Sequence, residues 1–172
     1  FFTDPVSMKS ALNGIGTELA NLVEELDTPA FRERVVDYEQ QLVALSEEIE
    51  AILAPVPEER RVLVTNHEVF GWFAQRYGFE VLGSVIPSGS TLAEPSAAAL
   101  TALAGRIAEV GVPAIFAETS APARLAEALA AEGAGVRVVE LYTESLGPPG
   151  SDGSTYIAMM RTNATRIAGA LS

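Results

Sequence analysis

Apolar residues at the start of the chain recur at the three- and four-residue spacing of an amphipathic helix. Asp4 followed by Pro5 is a typical helix start, so we predict a first helix that ends at about Leu26. The segment 27–29, Asp-Thr-Pro, interrupts this helix and starts a second one, which continues to Pro55 and spans about 36 Å. The apolar positions of the second helix are Phe31, Val35, Tyr38, Leu42, Leu45, Ile49 and Ile52. This stripe favours packing on a globular core over a coiled coil.

From Arg61 onward, short apolar segments alternate with helical patterns, and glycines mark many of the turns between them. This alternation predicts an α/β fold, namely a four-stranded parallel sheet flanked by helices and preceded by the long helix. The predicted strands are Val62 to Thr65, Glu80 to Ile86, Ala114 to Ala117 and Val136 to Leu141. The predicted helices are about Glu68 to Tyr77, Glu94 to Val110, Pro122 to Glu132 and Ser154 to Leu171.

Composition restricts the class of protein. The chain has 172 residues, of which 48% are hydrophobic, so it can form one domain with a substantial core. Its 11 Lys and Arg against 23 Asp and Glu give a net charge of −12, which repels nucleic acid and anionic membrane surfaces. There is no Cys, so disulfides and thiolate metal sites are excluded. Phe1 and Phe2 open the chain without Met, and we expect a fragment or a processed product whose signal peptide has been removed.

The loops that follow the predicted strands carry the candidate chemistry. His67, the only histidine, follows the first strand, Glu118 follows the third and Glu144 follows the fourth. The carboxyl ends of parallel strands share one edge of a sheet, where ligands of open α/β folds bind. Imidazole and carboxylate groups together suit Zn²⁺ or Mn²⁺. Each residue also has a structural alternative, since His67 can be a packed or capping residue and Glu144 a solvated carboxylate. For Glu118, hydrogen bonding to the start of the next helix is favoured over direct metal ligation.

Four ordered motifs carry a resemblance to a known family. They are Leu63 to Phe73, Ser90 to Ser96, Ile115 to Thr119, and Thr155 to Asn163. Together with the opening Phe-Phe-Thr-Asp-Pro and the long helix, they resemble the zinc/manganese solute-binding proteins of bacterial ABC importers. The resemblance covers essentially the whole chain.

The resemblance implies a two-lobed protein whose lobes are joined by a long helix and enclose a metal ion. Residues 1–27 would then be a helix remaining from the N-terminal lobe, 28–57 the joining helix and 58–172 the C-terminal lobe. His67 and Glu144 match ligand positions of the family, although the family has mostly Asp at the second one. Glu118 would support the ligands without touching the ion. The remaining ligands would be histidines of the missing N-terminal lobe.

The resemblance also implies a function and a location. We expect high-affinity capture of zinc, with manganese as the alternative ion, and its delivery to the membrane permease of an ABC importer. The protein would be an extracytoplasmic monomer, in the periplasm or as a cell-surface lipoprotein, and not an enzyme. His at position 67 resembles zinc-type members.

One alternative function is a small metal-dependent α/β hydrolase, with His67 as general base oriented by Glu118 or Glu144. Another is an interaction module that binds no metal.

Overall fold

The computed structural model describes residues 1–65, 68–84, 97–118, 124–132 and 136–172. The helices are α1 (Pro5–Leu22), α2 (Pro29–Leu53), α3 (Gly71–Tyr77), α4 (Ala97–Val110), α5 (Arg124–Glu132) and α6 (Tyr156–Leu171). The strands are β1 (Val62–Thr65), β2 (Glu80–Ser84), β3 (Ala114–Glu118) and β4 (Arg137–Leu141). Within these ranges, none of the helices combines the length and the apolar composition needed to cross a membrane.

The four strands form one parallel sheet in the order β2-β1-β3-β4. This confirms the predicted α/β fold. Thr65 at the end of β1 is in register with Phe116 in β3, and Glu118 at the end of β3 is in register with Leu141 at the end of β4. The carboxyl ends of β1, β3 and β4 therefore lie along the same edge of the sheet.

Helices cover both faces of the sheet. Alternate residues of a strand point to opposite faces, so Leu63 and Phe116 join one buried cluster while Val64 and Ile115 join another. Residues of α2, α3 and α6 complete the first cluster, and residues of α4 and α5 complete the second. Because both faces are buried, the strands can be short and almost continuously apolar.

The long helix α2 packs on the sheet through its C-terminal half. Its residues Leu42, Leu45, Ile49 and Leu53 are buried in the first cluster. Its N-terminal half packs instead against α1, where Gly16 lies so close to Val35 that an added Cβ would be 3.1 Å from Val35 Cγ2. The predicted helix start is confirmed, since Thr28 Oγ1 accepts a hydrogen bond from the Phe31 amide, 3.2 Å away.

Several predicted boundaries were wrong. The first helix ends at Leu22 because the backbone of Val23 is extended, and a short 3₁₀ turn, Glu24–Leu26, follows. Helix α3 begins at Gly71 rather than Glu68, and its first hydrogen bond joins the Ala74 amide to the Phe70 carbonyl. The predicted end of the second strand at Ile86 and the predicted helix starts at Glu94 and Pro122 lie outside the described residues.

The first residues of the chain are bound to α3 and α6. Thr3 Oγ1 donates to the Val69 carbonyl (3.1 Å), and the Tyr156 hydroxyl donates to the Phe2 carbonyl (2.8 Å). The buried Asp4 carboxylate caps α1 at the Val6 amide and forms two hydrogen bonds of 3.0 Å with Arg76 on α3. Burial alone would raise the pKa of Asp4, but the hydrogen bonds from Arg76, Ser7 and Val6 outweigh this effect and hold the pKa below its usual range.

The buried stripe of α2 can be tested with Leu42→Ala. Leu42 is fully buried, so its truncation should lower the free energy of unfolding by about 2 to 5 kcal/mol in urea denaturation. Val36→Ala is a control on the same helix, because Val36 is 50% exposed and should change the stability by less than about 0.5 kcal/mol. A loss below about 1 kcal/mol for Leu42→Ala would mean that the helix does not rely on this sheet for its packing.

The charge pair of Asp4 and Arg76 can be tested with Asp4→Asn, which keeps a capping side chain but removes the charge. We expect a loss of about 1 kcal/mol at pH 7, because Arg76 is partly exposed and solvent screens the pair. The folded-state pKa of Asp4 is lowered, so its contribution is present above the unfolded value and lost as the pH falls through the folded value. The difference between the two proteins should therefore begin to shrink as the pH falls below about 4 and continue to shrink through the folded-state pKa of Asp4. Asp37→Asn, on an exposed face of α2, is the control. A stability difference that is as large at pH 2 as at pH 7 would contradict this assignment.

Candidate metal centre

The carboxyl ends of β1 and β3 form a topological switch point. The chain leaves β1 through α3 towards β2, whereas it leaves β3 through α5 towards β4, in the opposite direction along the sheet. Helix α3 lies on one face of the sheet and α5 on the other. A crevice is expected where neighbouring strands lead to opposite sides, and ligands of open α/β sheets bind in such crevices.

His67 follows β1 at this switch point, two residues after Thr65. The imidazole itself lies outside the described residues. The structure describes the strand that leads to it, and Thr65 is buried at the end of that strand beside β3. The role of His67 as a metal ligand therefore remains a prediction.

Glu118 is the last residue of β3, not a loop residue as predicted. The strand extends by this one residue because Glu118 is in register with Leu141 of β4. Alternation along the strands places Glu118 on the same face of the sheet as Phe116 and Thr65. Only 6% of Glu118 is exposed, so its carboxylate lies below the surface at the edge of the sheet where the switch point opens. The helix start to which it was expected to bond lies outside the described residues.

Glu144 is three residues beyond the end of β4 and is exposed. Since Leu141 and Glu118 are register partners, the segment that carries Glu144 leaves the sheet beside Glu118. The structure thus brings the ends of β3 and β4 together at one edge, as the sequence predicted. Whether Glu144 ligates a metal stays a prediction.

Asn163 on α6 holds the segment that leads to Glu144. The Asn163 Oδ1 atom accepts a hydrogen bond from the Tyr142 amide (2.9 Å), and its Nδ2 atom donates to the Tyr142 carbonyl (2.5 Å). Sequence analysis missed this role, although one signal was present. Asn163 occupies an apolar position of α6, between the buried residues Met160 and Ile167, where a polar side chain needs a partner.

The ring of Tyr142 is held by the loop that follows it. Its hydroxyl donates to Asp152 Oδ1 (2.6 Å), and Arg166 donates to Asp152 Oδ2 (2.9 Å) while its guanidinium lies 5.0 Å from the ring centroid. The hydrogen bond from Tyr142 and the charge of Arg166 hold the pKa of Asp152 below its usual range. The Gly147 amide donates to the Gly153 carbonyl (2.8 Å), which closes the loop around the ring.

Thr143 lies between the held residue and the exposed carboxylate. It is 3% exposed, and no hydrogen-bond partner of its Oγ1 atom is found in the described part of the chain. A buried hydroxyl without a partner is unfavourable, so this atom is suited to a group that reaches the site when it is occupied. Across the described ranges, His, Cys, Asp and Glu side chains do not form a group of three that could hold a metal ion.

A parallel sheet with polar groups at a switch point is typical of a ligand-binding α/β lobe. Residues 1–170 match the family described as ZnuA: Zinc-uptake complex component A periplasmic, and the chain belongs to this family. The resemblance found in the sequence is thereby confirmed, as is the expectation of an extracytoplasmic protein. The family is defined by a component of an uptake complex and not by an enzyme, so the hydrolase alternative is not supported.

Individual relatives agree with the family match. The chain is 39% identical over 150 residues to the zinc-binding protein TroA of Treponema pallidum, covering 84% of this chain and 48% of TroA. It is 32% identical over 148 residues to the manganese-binding lipoprotein MntA of Bacillus subtilis, covering 83% of this chain and 47% of MntA. The solved structure of the periplasmic zinc-binding protein TroA matches with a TM-score of 0.88 and 35% identity, over 99% of this chain and 62% of that chain. The chain spans about half the length of the curated relatives that it matches.

The loop around Tyr142 can be tested with Gly153→Ala. An added Cβ at Gly153 would lie 2.5 Å from Tyr142 Cε2, and the ring cannot move away because its hydroxyl is bound to Asp152. We expect a loss of stability of about 1 to 3 kcal/mol in thermal or urea unfolding. Gly169→Ala in α6 is the matched control, because its Cβ would meet nothing within 4 Å and should stabilise the helix by up to about 1 kcal/mol. Equal effects of the two substitutions would show that the loop is not closed on the ring.

Proposed function

We propose that this chain is part of a solute-binding protein that captures zinc and delivers it to the membrane permease of an ABC importer. The observation that carries the proposal is the shared carboxyl edge of β1, β3 and β4, with its switch point between β1 and β3. Membership of the family supports it, since the family is described by a component of a zinc-uptake complex.

We propose His67 and Glu144 as the metal ligands of this chain. His67 lies two residues beyond the end of β1 in the sequence, and Glu144 is exposed on a segment whose backbone is held by Asn163. A neutral imidazole and a carboxylate are ordinary ligands of Zn²⁺ and need no thiolate. The longer side chain of Glu, compared with Asp, reaches farther from the held backbone.

Glu118 has a supporting role in this proposal. It is buried in β3, next to the strand that leads to His67, so its carboxylate is suited to orient the groups around the ligand. Carboxylates that hydrogen-bond to a metal-bound histidine fix the orientation of the ring and raise its basicity.

Zinc is the proposed ion and manganese the alternative. Sites with nitrogen ligands bind Zn²⁺ more tightly than Mn²⁺ in the general affinity order of divalent ions, and carboxylate-rich sites suit Mn²⁺ better. The relatives include both kinds of protein, since TroA is a zinc-binding protein and MntA a manganese-binding one. The imidazole of His67 favours zinc.

Two protein ligands do not complete a tetrahedral zinc site. We propose that the remaining ligands come from a second lobe of a longer protein, because the curated relatives are about twice as long as the chain. In this division residues 1–27 belong with the second lobe, 28–57 join the lobes and 58–172 form the lobe described here. The packing of Gly16 in α1 against Val35 in the N-terminal half of α2 supports the division.

The ligands can be tested by zinc titration of the 172-residue chain against a chromophoric chelator. Loss of a residue that only hydrogen-bonds to a metal ligand weakens metal binding by roughly 10- to 100-fold. His67→Ala removes a ligand itself, so it should weaken zinc binding by more than this. Glu144→Gln should weaken it less, since a water molecule can replace one carboxylate oxygen. Glu80→Gln is the control, because Glu80 is an exposed carboxylate at the amino end of β2, on the opposite edge of the sheet.

Circular dichroism of each variant checks that the fold is retained, and the spectrum of Glu144→Gln should be unchanged because Glu144 is exposed. The same titration with Mn²⁺ measures the ion preference, and we expect zinc to bind more tightly. Unchanged zinc affinity in His67→Ala would remove His67 from the site and contradict the proposal. Tighter binding of Mn²⁺ than of Zn²⁺ would contradict the choice of ion.

A further inference from the structure

Tyr142 lies just beyond the last register pair that the described residues of the sheet provide. It is the first residue after β4, which is an edge strand in the described sheet, and the last register pair of β4 is Leu141 with Glu118. The Asn163 side chain supplies the missing partners, since it accepts from the Tyr142 amide and donates to the Tyr142 carbonyl. A primary amide is suited to this task because it carries a donor and an acceptor side by side, like a peptide group.

Both partners of this contact are buried. Asn163 is 1% exposed, and the backbone groups that it binds lie in the same buried environment. Without the amide, a backbone N–H and a C=O would be left unpaired away from water, which is unfavourable by about 1 to 3 kcal/mol for each group. Movement of the segment towards solvent would then be favourable, because water could form hydrogen bonds with these two groups.

The effect of such a movement on Glu144 follows from the short distance along the chain. Consecutive Cα atoms are about 3.8 Å apart, so the Glu144 Cα lies within about 7.6 Å of the Tyr142 Cα. The Tyr142 ring is held independently by Asp152 on the loop beyond Glu144. Glu144 is therefore the first exposed residue of a short segment that is held by the backbone of Tyr142 on one side and by a closed loop on the other.

We propose that Asn163 is a positioning residue for the metal site, which holds the Glu144 carboxylate where it can meet an ion bound by His67. The inference rests on the proposed function, because it takes Glu144 as a ligand. Asn163 does not touch the ion, and it acts only through the backbone of Tyr142. A carboxylate at this position would accept from the amide but could not donate to the carbonyl.

The test is a double-mutant cycle with Zn²⁺ as the probe, in the 172-residue chain. Asn163→Ala should weaken zinc binding by about 10- to 100-fold, as the loss of a group that orients a ligand does in other metal sites. In a Glu144→Gln background the same substitution should have almost no further effect, because the ligand that it positions is already impaired. Asn163→Asp keeps the volume and the acceptor but loses the donor to the Tyr142 carbonyl, so it should also weaken zinc binding, and circular dichroism checks that this variant folds.

Ile167→Ala is the matched control for a general loss of packing. Ile167 is fully buried one turn further along α6, and its side chain has no polar atom that could hold the Tyr142 backbone. It should lower the stability of the fold while leaving the zinc affinity of the folded protein within about twofold of the starting value. Hydrogen exchange should show faster exchange of the Tyr142 amide in Asn163→Ala than in Ile167→Ala.

The possible outcomes separate the inference from the function on which it rests. If Glu144→Gln leaves zinc affinity unchanged, the proposed ligand is wrong and the inference fails with it. If Glu144→Gln weakens binding but Asn163→Ala has no effect, or has the same effect in both backgrounds, only the positioning role is overturned. A weakening by Ile167→Ala equal to that by Asn163→Ala would also overturn it.

Discussion

The parallel arrangement of the four strands is the constraint on which the rest of this structure depends. Parallel strands need crossover helices, and right-handed crossovers place helices on both faces of the sheet. The chain first passes from β1 to β2 through α3. It then returns past β1 to β3 and continues to β4, so the crossovers through α4 and α5 run in the opposite direction along the sheet and lie on its opposite face. Helices α3 and α5, which follow β1 and β3, therefore lie on opposite faces of the sheet, and ligands of open α/β sheets bind at such a switch point.

The helices differ in what they contribute to this frame. Helices α4 and α5 cover one face, while α2, α3 and α6 cover the other. The Asp4 carboxylate fixes the N-terminal residues to the layer of α2, α3 and α6. It caps α1 and binds Arg76 on α3. One buried carboxylate thus connects the start of the chain with the helix that follows the switch-point strand. The stability of the N-terminal attachment and the packing of α3 are linked through this pair.

The proposed metal site requires more order than the sheet alone supplies. In the described sheet the last register pair of β4 is at Leu141, and Glu144 lies beyond it. Two side-chain contacts extend the order past the strand, namely the amide of Asn163 on the backbone of Tyr142 and Asp152 on its hydroxyl. A carboxylate on an otherwise irregular segment can then be presented in a defined position, which reduces the entropy lost when a ligand is bound.

The sequence by itself determined the elements whose signals lie within a few residues. Thr28 and Pro29 mark the start of α2, the apolar spacing marks its buried stripe, and the alternation of strands and helices predicts the parallel sheet. It also predicted that the carboxyl ends of β1, β3 and β4 share one edge of the sheet, because the strands are parallel. These predictions succeeded because capping, periodicity and strand direction are local properties of the chain.

Contacts between residues far apart in the sequence could not be predicted, because they depend on how the whole fold packs. Asp4 meets Arg76 across 72 positions, and Tyr142 meets Asn163 across 21. The inclusion of Glu118 in β3 likewise depends on its register with Leu141, which is set by the neighbouring strand. Sequence patterns show that Asn163 interrupts an apolar stripe, but they do not show which backbone group it serves. That partner is fixed by how α6 packs against the end of β4, and such packing is a property of the whole fold.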